Sequence, residues 1–166
     1  MTAKPSTVLV TGASGYIASW IVKYLLEQGH TVHATVRNPD NPANVEHLKR
    51  LAADAPGTLV IFKADLLAAG SFDAAMAGCD IVMHTASPFV IDGFSDAHEA
   101  LVRPAVEGTR NVLEAANRCA SVTRVVLTSS VASIFGDNID LAQRGKTAFT
   151  EDDWNTSSTV DHNPYQ

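Results

Sequence analysis

Cysteine is scarce in this 166-residue sequence, and the two present, Cys79 and Cys119, have neither metal-site spacing nor a disulfide framework pattern. Free thiols in a reducing compartment, the cytoplasm, are the expectation. No apolar run approaches the roughly 20 residues a bilayer-spanning helix needs, and the opening MTAKPS lacks the charged-then-apolar form of a signal peptide. A basic surplus is also missing. The 12 Lys and Arg are scattered and stand against 18 Asp and Glu, for a formal net charge of −6. That argues against nucleic acid or an anionic membrane as the main partner, while leaving room for one local basic spot facing a phosphate. The six histidines show no ligand spacing, so no metal site is expected. Low-complexity linkers and internal repeats are absent.

What is present is an alternation. The apolar fraction of 46% is ordinary for a globular chain, and the length suffices for one domain with a real core. STVLVT is a β-branched strand leading into a glycine-rich turn. Ile17, Ile21, Val22, Leu25 and Leu26 then recur at helical spacing, and Gly29 stops the helix. TVHATV, GTLVIFKAD, DIVMHTA and TRVVLTSS read as four further strands. Helices are expected over NPANVEHLKRLAAD, around SFDAAMAG and over about 96–119, with a kink or break at Pro104. Nearly continuous apolar strands alternating with helices predict an α/β fold, a parallel sheet covered on both faces. After Ser130 the periodicity decays for ~35 residues. Such a stretch is either a functional loop or a segment whose packing partners lie elsewhere.

The strongest local signal is VTGASGYIA, where Gly12, Gly15 and Ala18 fall between a strand and a helix. Gly12 permits the tight turn, Gly15 lets backbone N–H groups approach a pyrophosphate, and Ala18 lets the helix pack close to the strand. The spacing is G-x-x-G-x-x-A, and the alternative is an ordinary tight strand–helix connection. The next strand ends on Val36 and Arg37, with no carboxylate before Asp40. A guanidinium there suits a 2′-phosphate, so NADP(H) is expected in preference to NAD(H). Asp65 ends the third strand, where it could accept from an adenine amino group. Thr85, Ala86 and Ser87 follow the fourth, near a nicotinamide ribose. Each of these is equally at home in ordinary capping. Gly108 reads as a helix–sheet packing position.

Taken together, VTGASGYIASWIVKYLLEQGHTVHATVRNP, ADL, HTASPF, PAVEGTRNVLEAA and RVVLTSS resemble the extended short-chain dehydrogenase/reductases. The branch most resembled is that of dihydroflavonol, cinnamoyl-CoA and related aldehyde or ketone reductases. The resemblance implies a Rossmann-type doubly wound parallel sheet, incomplete at its C-terminal side, and a single NAD(P)-binding domain over 1–166. It implies a cofactor-binding set of Thr11, Gly12, Ser14, Gly15, Tyr16, Ile17, Arg37, Asp65, Leu66, Thr85, Ala86, Ser87 and Thr128. It also implies a Ser–Tyr–Lys active site. Ser130, with Ser129 as the second choice, donates to a carbonyl oxygen. Tyr165, in NPYQ and 35 positions after Ser130, is the general acid. Lysine four positions on would lower its pKa, but that is residue 169, past Gln166. On this expectation the chain is the N-terminal half of a reductase, nearly inactive alone, with the substrate lobe absent.

The partner expected is a small carbonyl substrate. Phe89, Val90, Ile91 and Phe94 are expected to give one apolar wall of its pocket, and a homodimer could cover the open sheet edge at the fifth strand. FTEDDWNTSS resembles the acidic-plus-tryptophan stretch of the same branch, although Glu151, Asp152 and Asp153 otherwise read as a solvated charge run. Two other readings stand beside the reductase: a non-catalytic dinucleotide-binding module, and a nucleotide-sugar epimerase or dehydratase of the same superfamily.

Overall fold

The computed structural model describes residues 4–88, 93 and 95–162. Five parallel strands form one sheet: β1 (Thr7–Thr11), β2 (Thr31–Val36), β3 (Thr58–Lys63), β4 (Ile81–His84) and β5 (Arg124–Leu127), in the order β3-β2-β1-β4-β5. The order reverses direction at β1, so β1 and β4 flank the switch point at which ligands bind in open sheets of this kind. Crossovers run through α1 (Tyr16–Glu27), α2 (Pro42–Ala53), α3 (Asp73–Met76) and α4 (Arg103–Arg118). This is the doubly wound arrangement expected.

Strand β1 shows why the strands read as unbroken apolar runs. Val8 and Val10 pack on one face with Ala18, Val22 and Leu26 of α1 and Val45 and Leu48 of α2. Leu9 packs on the other with Phe72, Met76, Val112 and Ala115. All three β1 side chains are at most 2% exposed, because helices cover both sides of a parallel sheet. At β5 the cover thins. Val126 and Leu127 are 40% and 49% exposed, and β5 pairs with β4 alone among the described strands.

Helix ends follow local chemistry. Asn41 caps α2 by accepting from the Ala43 N–H at 3.1 Å, with Pro42 in the first turn. After α1, the N–H groups of Gly29 and His30 close onto the carbonyls of Leu26 and Leu25. The expected break at Pro104 takes a specific form. Residues His98–Val102 make a π-helical turn, in which the Arg103 N–H reaches the His98 carbonyl, and α4 continues from it. Proline offers no N–H to the carbonyl of Ala100 and its ring crowds that carbonyl, so the turn before it widens.

The chain divides into two compact units, residues 1–87 with 105–128, and residues 88–104 with 129–166. The first holds the sheet. The second contains a 3-10 turn at Val131–Ser133, a short helix α5 (Ile139–Gln143) and an antiparallel bridge between Thr159 and His162. No described helix is long and apolar enough to cross a membrane.

Candidate dinucleotide site

The turn between β1 and α1 is built for close approach. Gly12 has φ +64°, and a Cβ placed on it would lie 3.0 Å from the Ala86 Cβ. A side chain there would therefore be strained and would also push the β4 loop away. The Gly15 N–H closes the turn onto the Gly12 carbonyl at 2.9 Å. No described side chain caps α1, so its first-turn N–H groups can serve a bound acceptor at the positive end of the helix. Ser14 and Gly15 are exposed. Tyr16 and Ile17 stand 81% and 59% exposed at the same end, while Ala18 is buried against the sheet as its small size allows.

The neighbouring strand ends hold this turn in place. The Ala13 N–H donates to the Thr35 carbonyl at 2.9 Å, and the Gly12 N–H to Thr35 Oγ1 at 3.3 Å. Thr85 Oγ1 donates to the Thr11 carbonyl at 2.5 Å, and the N–H groups of Thr85 and Ala86 both donate to Thr11 Oγ1. Ser87 is exposed just beyond. Arg37 is exposed after β2 and makes no ion pair among the described residues. The loop behind it is tied up within itself, since Asp40 N–H donates to Asn38 Oδ1 and Asn44 Nδ2 to the Asn38 carbonyl.

Asp65 organises its own loop. Its Oδ1 accepts from the Leu67 N–H at 2.9 Å, and Ser71 Oγ bridges its backbone. Leu66 lies where α4 passes: a Cβ on Gly108 would come 3.0 Å from the Leu66 Cβ, and Asn111 Nδ2 holds the Leu66 carbonyl at 2.7 Å. Thr128 extends the ladder of β5, donating its N–H to the His84 carbonyl at 2.9 Å. The fold thus brings Thr11, Gly12, Ser14, Gly15, Tyr16, Ile17, Arg37, Asp65, Leu66, Thr85, Ala86, Ser87 and Thr128 to the carboxyl ends of the strands or the connections that follow them.

Within the second unit, Ser130 starts the 3-10 turn. Its Oγ accepts from the Ala132 N–H at 3.2 Å, and its carbonyl accepts from Ser133. Capping occupies a lone pair and leaves the hydroxyl proton of this exposed side chain to be donated elsewhere. Ser129 Oγ instead meets Ser133 Oγ at 3.1 Å. Tyr165 and the residues expected to wall the substrate pocket, Phe89, Val90, Ile91 and Phe94, lie outside the described residues.

The acidic run departs from the expectation of a solvated charge run. Glu151 and Asp152 are exposed, but Asp153 is 5% exposed. Its Oδ1 sits 2.5 Å from Lys146 Nζ and its Oδ2 accepts from the Thr150 N–H at 2.9 Å. Lys146 foremost holds its carboxyl below the usual range. Asp140, 4% exposed, is likewise held down, first by the Ser157 hydroxyl at 2.6 Å. Asn155 is spent inside the segment, with Nδ2 on the Ala132 carbonyl and Oδ1 accepting from Ser157 and Ser158.

Sequence reasoning also passed over His84. This residue is 1% exposed and its Nδ1 lies 2.8 Å from Thr11 Oγ1, while burial pushes the imidazole down to about 4. The available signal was a histidine closing the otherwise apolar strand IVMH. Both cysteines are free. Burial foremost pushes the Cys79 thiol up to about 12, leaving it inert as a nucleophile at neutral pH.

A model of the NAD dependent epimerase/dehydratase family matches residues 8–166. A cinnamoyl-CoA reductase of Medicago truncatula is 51% identical over 78% of this chain and 39% of the relative. A tetraketide alpha-pyrone reductase of Arabidopsis thaliana is 50% identical over 76% of this chain and 38% of its own length. The chain thus spans about two fifths of the curated relatives it matches. Among solved structures, the yeast methylglyoxal/isovaleraldehyde reductase Gre2 in complex with NADPH superposes with a TM-score of 0.75 at 31% identity. That match covers 96% of this chain and 48% of Gre2.

Proposed function

Because the chain belongs to the NAD dependent epimerase/dehydratase family, we propose that it is the dinucleotide-binding portion of an NADP-dependent reductase acting on a small, apolar aldehyde or ketone. The observation that carries the reading is the α1 N-terminus behind Gly12 and Gly15, uncapped by any described side chain, with Arg37 after β2 making no ion pair among the described residues. The relatives named as reductases and the NADPH complex of Gre2 support it.

The residues present fit the cofactor. Backbone N–H groups of the glycine turn and α1 would hold the pyrophosphate, Arg37 the 2′-phosphate, Asp65 and Leu66 the adenine, and Thr85 to Ser87 the nicotinamide ribose. When bound, the dinucleotide supplies the hydride. The chain's own work is to hold the carbonyl and manage its charge. Ser130 donates a hydrogen bond, keeping its proton, to the oxygen on which charge develops, and Tyr165 delivers the one proton that completes the alcohol. The proposal requires lysine at position 169, which lies outside this sequence. The 166-residue polypeptide is expected to bind NADPH.

Titrating NADPH and NADH into the chain, and into Arg37→Met, tests the cofactor assignment. The substitution should weaken NADPH by roughly tenfold or more, the scale of one charge-assisted contact to phosphate, and leave NADH unchanged. Tighter NADH binding by the unaltered chain overturns it. In a chain carrying lysine at 169, Ser130→Ala and Tyr165→Phe should each lower kcat by about a hundredfold or more. Undiminished turnover removes their roles and leaves a dinucleotide-binding module.

A further inference from the structure

His84 has no task in that chemistry, although its ring is the largest polar side chain in the described core of the sheet unit. Its surroundings fix where its proton sits. Thr11 Oγ1 lies 3.1 Å from the Thr85 nitrogen, 3.0 Å from the Ala86 nitrogen and 2.8 Å from His84 Nδ1. Backbone amides only donate, so these two occupy both lone pairs of the hydroxyl oxygen. The one hydroxyl proton must then point at Nδ1, which accepts it. A proton on Nδ1 would give that oxygen a third donor and leave the hydroxyl proton without an acceptor. The ring hydrogen therefore sits on Nε2, a buried atom with no partner among the described residues.

Burying an N–H without a partner is destabilising, and an apolar side chain of similar size would avoid that cost. What the imidazole contributes is at Nδ1. By fixing the Thr11 proton it turns the hydroxyl oxygen squarely toward the two amides of the β4 loop. Thr85 Oγ1 closes the same junction from the other side, on the Thr11 carbonyl. Gly12, the next residue, meets Ala86 with no room for a Cβ.

We propose that His84, as a neutral imidazole protonated on Nε2, is a positioning residue for dinucleotide binding that clasps the Thr85–Ala86 loop to the phosphate turn through the Thr11 hydroxyl. This role rests on the reading of that turn as a dinucleotide site. The clasp joins the segment assigned to the pyrophosphate with the segment assigned to the nicotinamide ribose, so it sets the spacing that a bound dinucleotide must match.

Two measurements on the full chain test it. In a long-range nitrogen–proton NMR spectrum, the His84 ring should show a protonated Nε2 and a pyridine-type, hydrogen-bonded Nδ1. A ring protonated on Nδ1 overturns the assignment. NADPH titration should then separate two substitutions. His84→Asn places a carbonyl oxygen where Nδ1 stood and should keep Kd within about threefold. His84→Leu removes the acceptor and should raise Kd roughly tenfold, the scale of one buried hydrogen bond. Equal affinity in the unaltered and Leu chains, or an Asn variant as weak as the Leu variant, overturns the clasp. If the unaltered chain binds neither NADPH nor NADH, the dinucleotide reading itself fails and the clasp loses its role, while the ring tautomer is still read independently.

Discussion

The sheet unit and the described residues 129–162 are held by different physics. In the sheet unit the buried side chains are overwhelmingly apolar, arranged as two layers on the two faces of the sheet. Among described residues 129–162 the buried positions are Gly136, Asp140 and Asp153, and no apolar side chain joins them. That segment is organised by carboxylates meeting hydroxyls, amides and Lys146, with Phe135 stacked on Phe149 at 5.1 Å. Burial of apolar area is non-directional and tolerant of sequence, whereas a polar network fixes each partner individually. The sheet unit should therefore fail through cavities, and the segment 129–162 through lost partners.

The largest expected effect breaks the first half of that contrast. Leu9→Ala empties a fully buried position between the sheet and α4 and should cost about 3 to 5 kcal/mol in denaturant unfolding. Trp154 is the largest apolar side chain of the second unit, yet it is 72% exposed. Its truncation to Ala should cost about 0.5 kcal/mol or less. Comparable losses at the two positions would erase the distinction.

Acid should separate the units next. His84 is held down to about 4 in the folded chain against 6.5 for a free imidazole. The unfolded chain therefore takes up a proton between those values that the folded chain refuses, and stability falls as pH drops through this window, by about 3 kcal/mol in all. Well above pH 6.5 the ring is neutral in both states and contributes no pH dependence. Asp140 and Asp153 act lower. Their folded pKa values lie below the ordinary 3.8, so their contribution is complete above that value and is lost as pH falls beneath it. Unfolding followed from pH 7 to 3 should thus weaken the sheet unit first, and His84→Asn should remove most of the slope between pH 6.5 and 4.

This division also explains what could be read from the residues alone. Strands and helices of the sheet unit were legible because covering a parallel sheet on both faces imposes unbroken apolar runs and helical spacing, as in β1 and α1. Gly12, Gly15 and Ala18 were legible because backbone approach and close packing demand small side chains at fixed offsets. His84 was not, since its meaning depends on Thr11 lying opposite it across 73 positions of sequence, a pairing only the strand order supplies. Asp153 was misread as solvated for a related reason. Its neighbours Glu151 and Asp152 are exposed, and nothing in EDDW distinguishes the one carboxylate that turns inward to Lys146. Polar networks leave no period in a sequence.

The smallest effect should be the most local. Asp153→Asn keeps the shape of the side chain and its acceptor toward the Thr150 N–H, but removes the charge that pairs with Lys146 at 2.5 Å and faces Arg144 at 3.6 Å. A single charge change in a segment with no fully buried apolar side chain among its described residues should leave the global unfolding transition where it was, because that transition reports the sheet layers. It should instead raise the frequency of local opening, read as faster hydrogen exchange at Asn155 and Thr150 and several-fold faster proteolytic cleavage between 140 and 160. Lys146→Met should do the same through the same pair, and the double variant should add little beyond either single one, since both remove one interaction. A shift of the whole unfolding curve by Asp153→Asn would mean that the polar segment and the sheet open as one cooperative body, and the contrast between them would then describe composition and not stability.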